Sequence, residues 1–377
     1  MFSNLPTMQA SMAAVCLLMA AAPSYADDHA ANQVAETLMA EMPIPALSVA
    51  VYHDGELVWA DAYGRADIEL DVAATEQHRF RLGSVSKIVT ASLAARMVDA
   101  GLVDLDAPIS QYLPELPGAH HATTLRQLLT HQGGIRHYNR SDQDPRAPGS
   151  IVDLRIYPDT QAALSVFIND PLIATPGTTY SYSTYGYTLA SAVLEAAGSA
   201  SFAELIEAHI AAPLHLRSLE TDTLFDMRPN RVSFYDSGEF YRQRVDPSVR
   251  GNIVNALSVN PAYKWAGGGL IATPSDLARF GAAFFGTGFL ATDTYRDMFT
   301  VQNENTEASD RVGLGWRIDR DSQGRLRYHH AGLQQGTRSV LVVYPESGLA
   351  VAMMSNLGGM PQDILTPAAT IAETFLD

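Results

Sequence analysis

Runs with the two-residue period of β-strands stand at both ends of the chain, and runs with helical period stand between them. Leu47–His53 and Glu56–Ala60 flank Asp54-Gly55, a pair suited to a tight hairpin turn. Toward the other end, Val312–Ile318, Leu326–His330, Ser339–Tyr344 and Leu349–Ser355 read as strands, the last two joined through Pro345-Glu-Ser-Gly348. In between, Val85, Ile88, Val89, Leu93 and Met97 recur at helical spacing over Ser84–Ala100, with Gly101 as the stop. Thr124-Leu-Arg-Gln127 is a capping box, Tyr187–Ala197 continues a helical pattern, Thr273-Pro-Ser-Asp276 starts a further helix, and Ile364–Leu376 closes the chain as a helix. Strands need partners for their backbone groups. The expectation is therefore an α+β fold: one antiparallel sheet assembled from N- and C-terminal strands, packed by helices, with a mainly helical region, about 102–265, inserted.

Residues 1–26 carry no charged side chain, and the apolar run Ala10–Ala22 is shorter than the about 20 residues needed to span a bilayer. With small residues at Ser24 and Ala26 and no Lys or Arg ahead of the run, this reads as a signal peptide over 1–26, followed by a single large domain over 27–377. The mature protein is then expected to be periplasmic or secreted, with no membrane insertion after cleavage. Cys16, the one cysteine, falls inside that leader, so disulfides, thiol nucleophiles and cysteine-based zinc sites leave with it. The 25 basic and 41 acidic residues give a formal charge of −16, which repels phosphate and argues against nucleic acid as a partner.

The chemistry must come from Ser, Thr, Lys, Tyr, His or carboxylates. Ser84-Val-Ser-Lys87 opens the 84–100 helix, and residues three apart share a helix face with Cβ atoms about 5–6 Å apart, so the Lys87 amine can reach the Ser84 hydroxyl. Serine is a weak nucleophile without a base, and a lysine serves as base only when unprotonated; burial and the helix dipole both push it that way. The Ser84 backbone N–H is available to an oxyanion. Ser86, about 200° around the helix, is expected to be dispensable. Tyr182 stands just before a helical run and after the loop-forming Thr175-Pro-Gly177, and Gly332 in His330-Ala-Gly332 permits a close backbone approach by substrate. No His-Glu-x-x-His, no phosphate-binding glycine loop and no Gly-x-Ser-x-Gly occurs, so no metal or cofactor is expected.

The order Ser84-Val-Ser-Lys87, Tyr182-Ser-Thr184, His330-Ala-Gly332 resembles the serine β-lactamase-like superfamily, which includes class C β-lactamases, DD-peptidases and related esterases. Leu128-Leu-Thr-His131-Gln-Gly-Gly134-Ile-Arg-His-Tyr138 and Trp265-Ala-Gly-Gly-Gly-Leu-Ile-Ala-Thr-Pro-Ser-Asp276 extend the likeness, which is nearest to the branch holding the mitochondrial β-lactamase-like serine protease. The resemblance implies Ser84 as acylated nucleophile, Lys87 and Tyr182 sharing proton transfer with His137 as the alternative base, and an oxyanion hole from the N–H groups of Ser84 and Leu333. It implies substrate contacts from Thr184, His330 and Gly332. Thr184 stands where relatives often carry Asn, and His330 where true β-lactamases often carry Lys, so a substrate carboxylate has no lysine there; Arg136 and Arg338 are the alternative cations. The implied function is a secreted serine hydrolase working through an acyl-enzyme on esters, amides or peptides, its partner a small-molecule or peptide substrate. The rival readings are a β-lactamase or DD-carboxypeptidase, and a non-catalytic binding or assembly protein of the same fold.

Overall fold

The computed structural model describes residues 28–139, 142, 155–244, 246–286, 288–359 and 363–376, so the expected leader lies outside the described residues. The described chain opens with a helix rather than a strand, α1 (Asp28–Glu41). Ala31 and Ala35 are buried and Val34, Leu38 and Met39 pack beside them, an apolar stripe at helical spacing that the sequence itself carries. Next come β1 (Ala46–His53) and β2 (Glu56–Asp67), with Asp54 and Gly55 both at positive φ, +51° and +83°, as a primed hairpin turn requires.

A seven-stranded sheet runs in the order β3-β2-β1-β12-β11-β10-β9, with β3 (Val72–Ala73), β9 (Arg317–Arg320), β10 (Leu326–Gln334), β11 (Thr337–Tyr344) and β12 (Leu349–Ser355). Every neighbouring pair is antiparallel, and β1 and β12 join the two ends of the chain, Leu47 opposite Ser355 and His53 opposite Leu349. Alternation then sorts side chains. Leu47, Val49, Val342 and Val351 face a layer containing α1 and the C-terminal helix Leu365–Glu373. Ala50, Leu341, Val343 and Ala352 face the larger helical body.

That body is built around α2 (Ser86–Asp99), in which Ile88, Val89, Ala91, Leu93, Ala94, Ala95 and Met97 are fully buried. Around it lie α3 (Leu125–Leu129), opened by the Thr124–Gln127 capping box, α4 (Thr184–Gly198), and α5 (Pro274–Ala282), capped by Thr273. The inserted region is mainly helical among the described residues and also carries three short strands. It contributes β5 (Glu220–Thr221), β6 (Tyr235–Ser237) and β7 (Ile253–Asn255), which join β4 (Phe80–Arg81), β8 (Leu270–Ala272) and β13 (Leu357–Gly358) in two three-stranded sheets, β4-β8-β5 and β13-β6-β7. The run Val312–Ile318 is also not a strand: β9 begins at Arg317, and Val312 folds back to make an isolated bridge with it. The glycines explain the misreading, because Gly315 sits at φ +77° and a Cβ on Gly313 would collide with the Met298 carbonyl.

β4 leads directly into the turn that carries Ser84. Arg81 Nε donates to Asp222 Oδ2 at 2.7 Å, Arg231 holds the other oxygen at 3.0 Å, and Arg81 Nη1 reaches the Gln335 carbonyl at the tip of the β10–β11 hairpin, 3.2 Å away. One buried guanidinium thus ties the segment before Ser84 to the hairpin that carries His330 and Leu333.

Candidate functional site

Ser84 lies in a 3-10 turn, Gly83–Val85, that runs straight into α2. Lys87, one turn on, is completely buried, with Nζ 3.2 Å from Ser84 Oγ, 3.1 Å from Thr184 Oγ1 and 2.5 Å from the Gly267 carbonyl. Burial drives its pKa well below the usual lysine value, and Lys264 and Arg317 push it further in the same direction. Burial thus favours the free amine. In that form two N–H bonds serve Gly267 and Thr184 and the lone pair is left for the Ser84 hydroxyl proton. Ser86, expected to be dispensable for the chemistry, has a structural contact: it is buried, and its Oγ accepts the Leu270 N–H at 3.1 Å, fastening α2 to β8.

Tyr182 comes from the stretch before α4, whose cap is Ser183. Its ring lies 4.8 Å from Lys87 Nζ and its hydroxyl meets Ser84. Burial raises its pKa, so it rests as a neutral phenol, and Lys87 is the group in the basic form. Three imidazoles surround it: His131 at 4.4 Å, His137 at 5.5 Å and His330 at 6.3 Å between ring centroids. Burial first, then nearby cations, keeps all three neutral, with His137 lowered to about 4 and the other two well below the usual value. Nδ1 of His131 accepts the Ser183 N–H at 3.1 Å, and Nδ1 of His137 accepts the Thr184 N–H at 3.2 Å. Both therefore carry their proton on Nε2, and His137 has no lone pair left to act as the alternative base. His330 has the opposite tautomer, its Nδ1–H donating to the Ala331 carbonyl at 2.7 Å. Tyr185 and Tyr187 pack in the core, the Tyr187 hydroxyl donating to the Leu129 carbonyl at 2.6 Å.

The second candidate oxyanion donor follows from hairpin register. Gln334 and Thr337 close a two-residue turn, so Gly332 and Ser339 form a bonded pair and the Leu333 N–H faces away from β11. β9 pairs with β10 only as far as His329, and beyond that the β10 edge abuts the Ser84 turn. Two glycines permit the contact. Gly83 has φ +48°, and a Cβ there would stand 2.9 Å from the Leu333 nitrogen; a Cβ on Gly332 would overlap the Leu82 carbonyl. A close approach at Gly332 is made by the chain's own Leu82 carbonyl.

Thr184, expected at the substrate, is buried and already holds Lys87. Of the alternative cations, Arg136 is committed to Asp142 at 2.5 Å and Asp170 at 2.6 Å. The cation beside the site is Arg317, on β9 opposite His329, whose charge bears on Lys87, His131, Tyr182 and His330. It pairs with Asp310 at 3.1 Å, meets the Tyr180 hydroxyl, and its side chain is 32% exposed. No local motif marks Arg317 or Lys264, because each reaches the site through strand pairing or turn packing alone. Among the described residues no cluster of three or more His, Cys, Asp or Glu is placed to hold a metal ion.

Residues 31–374 match the family described as Beta-lactamase. The chain is 27% identical to the mitochondrial serine beta-lactamase-like protein LACTB of Homo sapiens, over 81% of this chain and 70% of that protein. It is 31% identical to esterase EstB of Burkholderia gladioli over 46% of each. The D-amino acid amidase of Ochrobactrum anthropi SV3, in complex with L-phenylalanine, superimposes with a TM-score of 0.79 over 92% of this chain and 98% of that one, at 20% identity.

Proposed function

The chain belongs to the beta-lactamase family of serine hydrolases, and from that premise we propose that it hydrolyses esters, amides or peptides through an acyl-enzyme on Ser84. The observation that carries this reading is the contact of the fully buried Lys87 Nζ with Ser84 Oγ at 3.2 Å, where burial and nearby cations drive the amine toward its free form. As Oγ bonds to the substrate carbonyl carbon, its proton passes to Lys87, and the carbonyl oxygen, now anionic, is held by the N–H groups of Ser84 and Leu333. The Tyr182 phenol protonates the leaving group and is recharged from Lys87, which returns the amine to its free form. Water then attacks the acyl carbon by the same route in reverse, releasing the acid and Ser84. Export rests on the leader over 1–26.

A second reading, a β-lactamase or DD-carboxypeptidase, is favoured by Arg317, which offers a substrate carboxylate the charge that His330 lacks. A non-catalytic binding role has no such support, since Ser84, Lys87 and Tyr182 meet at bonding distance. Incubation with a fluorophosphonate and peptide mapping tests the reading. One adduct, on Ser84, is expected, with labelling and turnover both lost in Ser84→Ala. Label on another serine, or undiminished turnover in Ser84→Ala, removes it.

A further inference from the structure

Two cations bear on Lys87, Arg317 and Lys264. Arg317 also acts on the groups around Tyr182 and His330. Lys264 directly precedes the Trp265–Gly268 turn, whose Gly267 carbonyl holds Lys87, and its charge bears on His137 as well. Lys264 is 6% exposed. Its ammonium lies 5.4 Å from the Tyr263 ring and 6.0 Å from the Tyr138 ring, and the Tyr138 hydroxyl meets both Tyr263 and the Thr184 that holds Lys87. It makes no hydrogen bond or ion pair with a described residue, and the carboxylate that bears on it, Asp222, is already held by Arg81 and Arg231. A buried ammonium without a counterion is costly, and nothing in the acylation chemistry uses it.

We propose that Lys264 is the anion-binding residue of an acyl-side subsite, so that the acyl group passed to Ser84 carries a carboxylate, as in the monoester or monoamide of a short dicarboxylic acid. This rests on the acyl-enzyme reading above. The carboxylate supplies the missing counterion, the Tyr138 and Tyr263 rings wall its methylene chain, and Thr184 lies between it and the reacting carbon. Burial lowers Lys264 to about 7, so a bound carboxylate takes up a proton at neutral pH by restoring the ammonium.

The test compares p-nitrophenyl glutarate monoester with p-nitrophenyl valerate, which differ only in the terminal carboxylate. In the wild-type protein the glutarate is preferred in kcat/KM, and in Lys264→Met the glutarate-to-valerate ratio falls about tenfold or more, with partial recovery in Lys264→Arg. The ratio is the readout, because losing Lys264 also shifts Lys87 and changes both absolute rates. Binding of the same two esters to Ser84→Ala, with and without Lys264→Gln, is followed by calorimetry and needs no turnover. An unchanged ratio, or glutarate binding that survives Lys264→Gln undiminished, overturns the subsite. Absent fluorophosphonate labelling overturns the acyl-enzyme reading instead, and the calorimetric result still decides whether Lys264 binds the anion.

Discussion

A lysine can deprotonate a serine at neutral pH only if its pKa is lowered, and burial lowers that of Lys87. Lys87→Ala and Tyr182→Phe should each lower kcat by on the order of 10² or more, and the double variant should lose little beyond the worse single one, because the two groups move one proton. Steady-state kinetics of the three variants checks this; independent, multiplying losses would separate the two roles. The acid limb of the wild-type pH profile belongs to the coupled pair and should lie well below the usual lysine range. Substrate choice is a question for Arg317. His330 stays neutral well below pH 6.5, so the ratio of nitrocefin to p-nitrophenyl acetate turnover should be flat from pH 6 to 8 and fall about tenfold in Arg317→Gln. A ratio that climbs toward pH 6 would return the carboxylate to a protonated His330.

At the scale of elements, the decisive contact is the Ser84 turn lying against the free edge of β10. Gly332→Ala should force the two apart at the Leu82 carbonyl, slowing fluorophosphonate labelling more than tenfold while far-UV circular dichroism stays native. Labelling at the wild-type rate would show that the Leu333 N–H is not needed. Ser86→Ala, by contrast, should leave the Leu270 N–H unpaired and lower stability by about 1–3 kcal/mol, read from urea midpoints. What could be read from the sequence divides along the same line. The Ser84–Lys87 pair, the Thr124 box and the Thr273 cap are local, set by spacing along one helix, and the structure contains them where expected. His131, Lys264 and Arg317 each come to Lys87 through the 131–139 loop, the turn before β8 and the β9–β10 pairing, contacts to which no residue spacing refers. The strand expected over Val312–Ile318 failed for the same kind of reason: alternating Val, Leu and Trp suits a strand, but the interleaved Gly313 and Gly315 turn the chain.

Over the whole molecule, buried bases held neutral make stability depend on pH in a stated direction. His131, His137 and His330 are unprotonated in the folded chain and protonate near pH 6.5 in the unfolded one, so the unfolded state binds more protons in acid and stability falls as pH drops below about 6.5. Asp236, raised to about 6 by burial, opposes this by one proton. Near pH 5 the balance is about two protons, roughly 2.7 kcal/mol per pH unit. His137→Gln should reduce the slope by about one proton, measured as urea midpoints between pH 5 and 7; an unchanged slope would mean His137 is charged in the folded protein. Lys264, lowered to about 7, acts in the same sense at higher pH, and stability should go on rising toward pH 10.

The pairing of β1 with β12 also sets an order of events during synthesis. Ser84 and Lys87 leave the ribosome early, whereas the strand bearing Leu333 and the two that hold it in the sheet are made last. On the proposed mechanism, a polypeptide halted between α2 and β10 carries Ser84 and Lys87 without the Leu333 N–H and with the sheet unclosed. Premature products are therefore expected to be inert, with activity arriving only as the final strands dock.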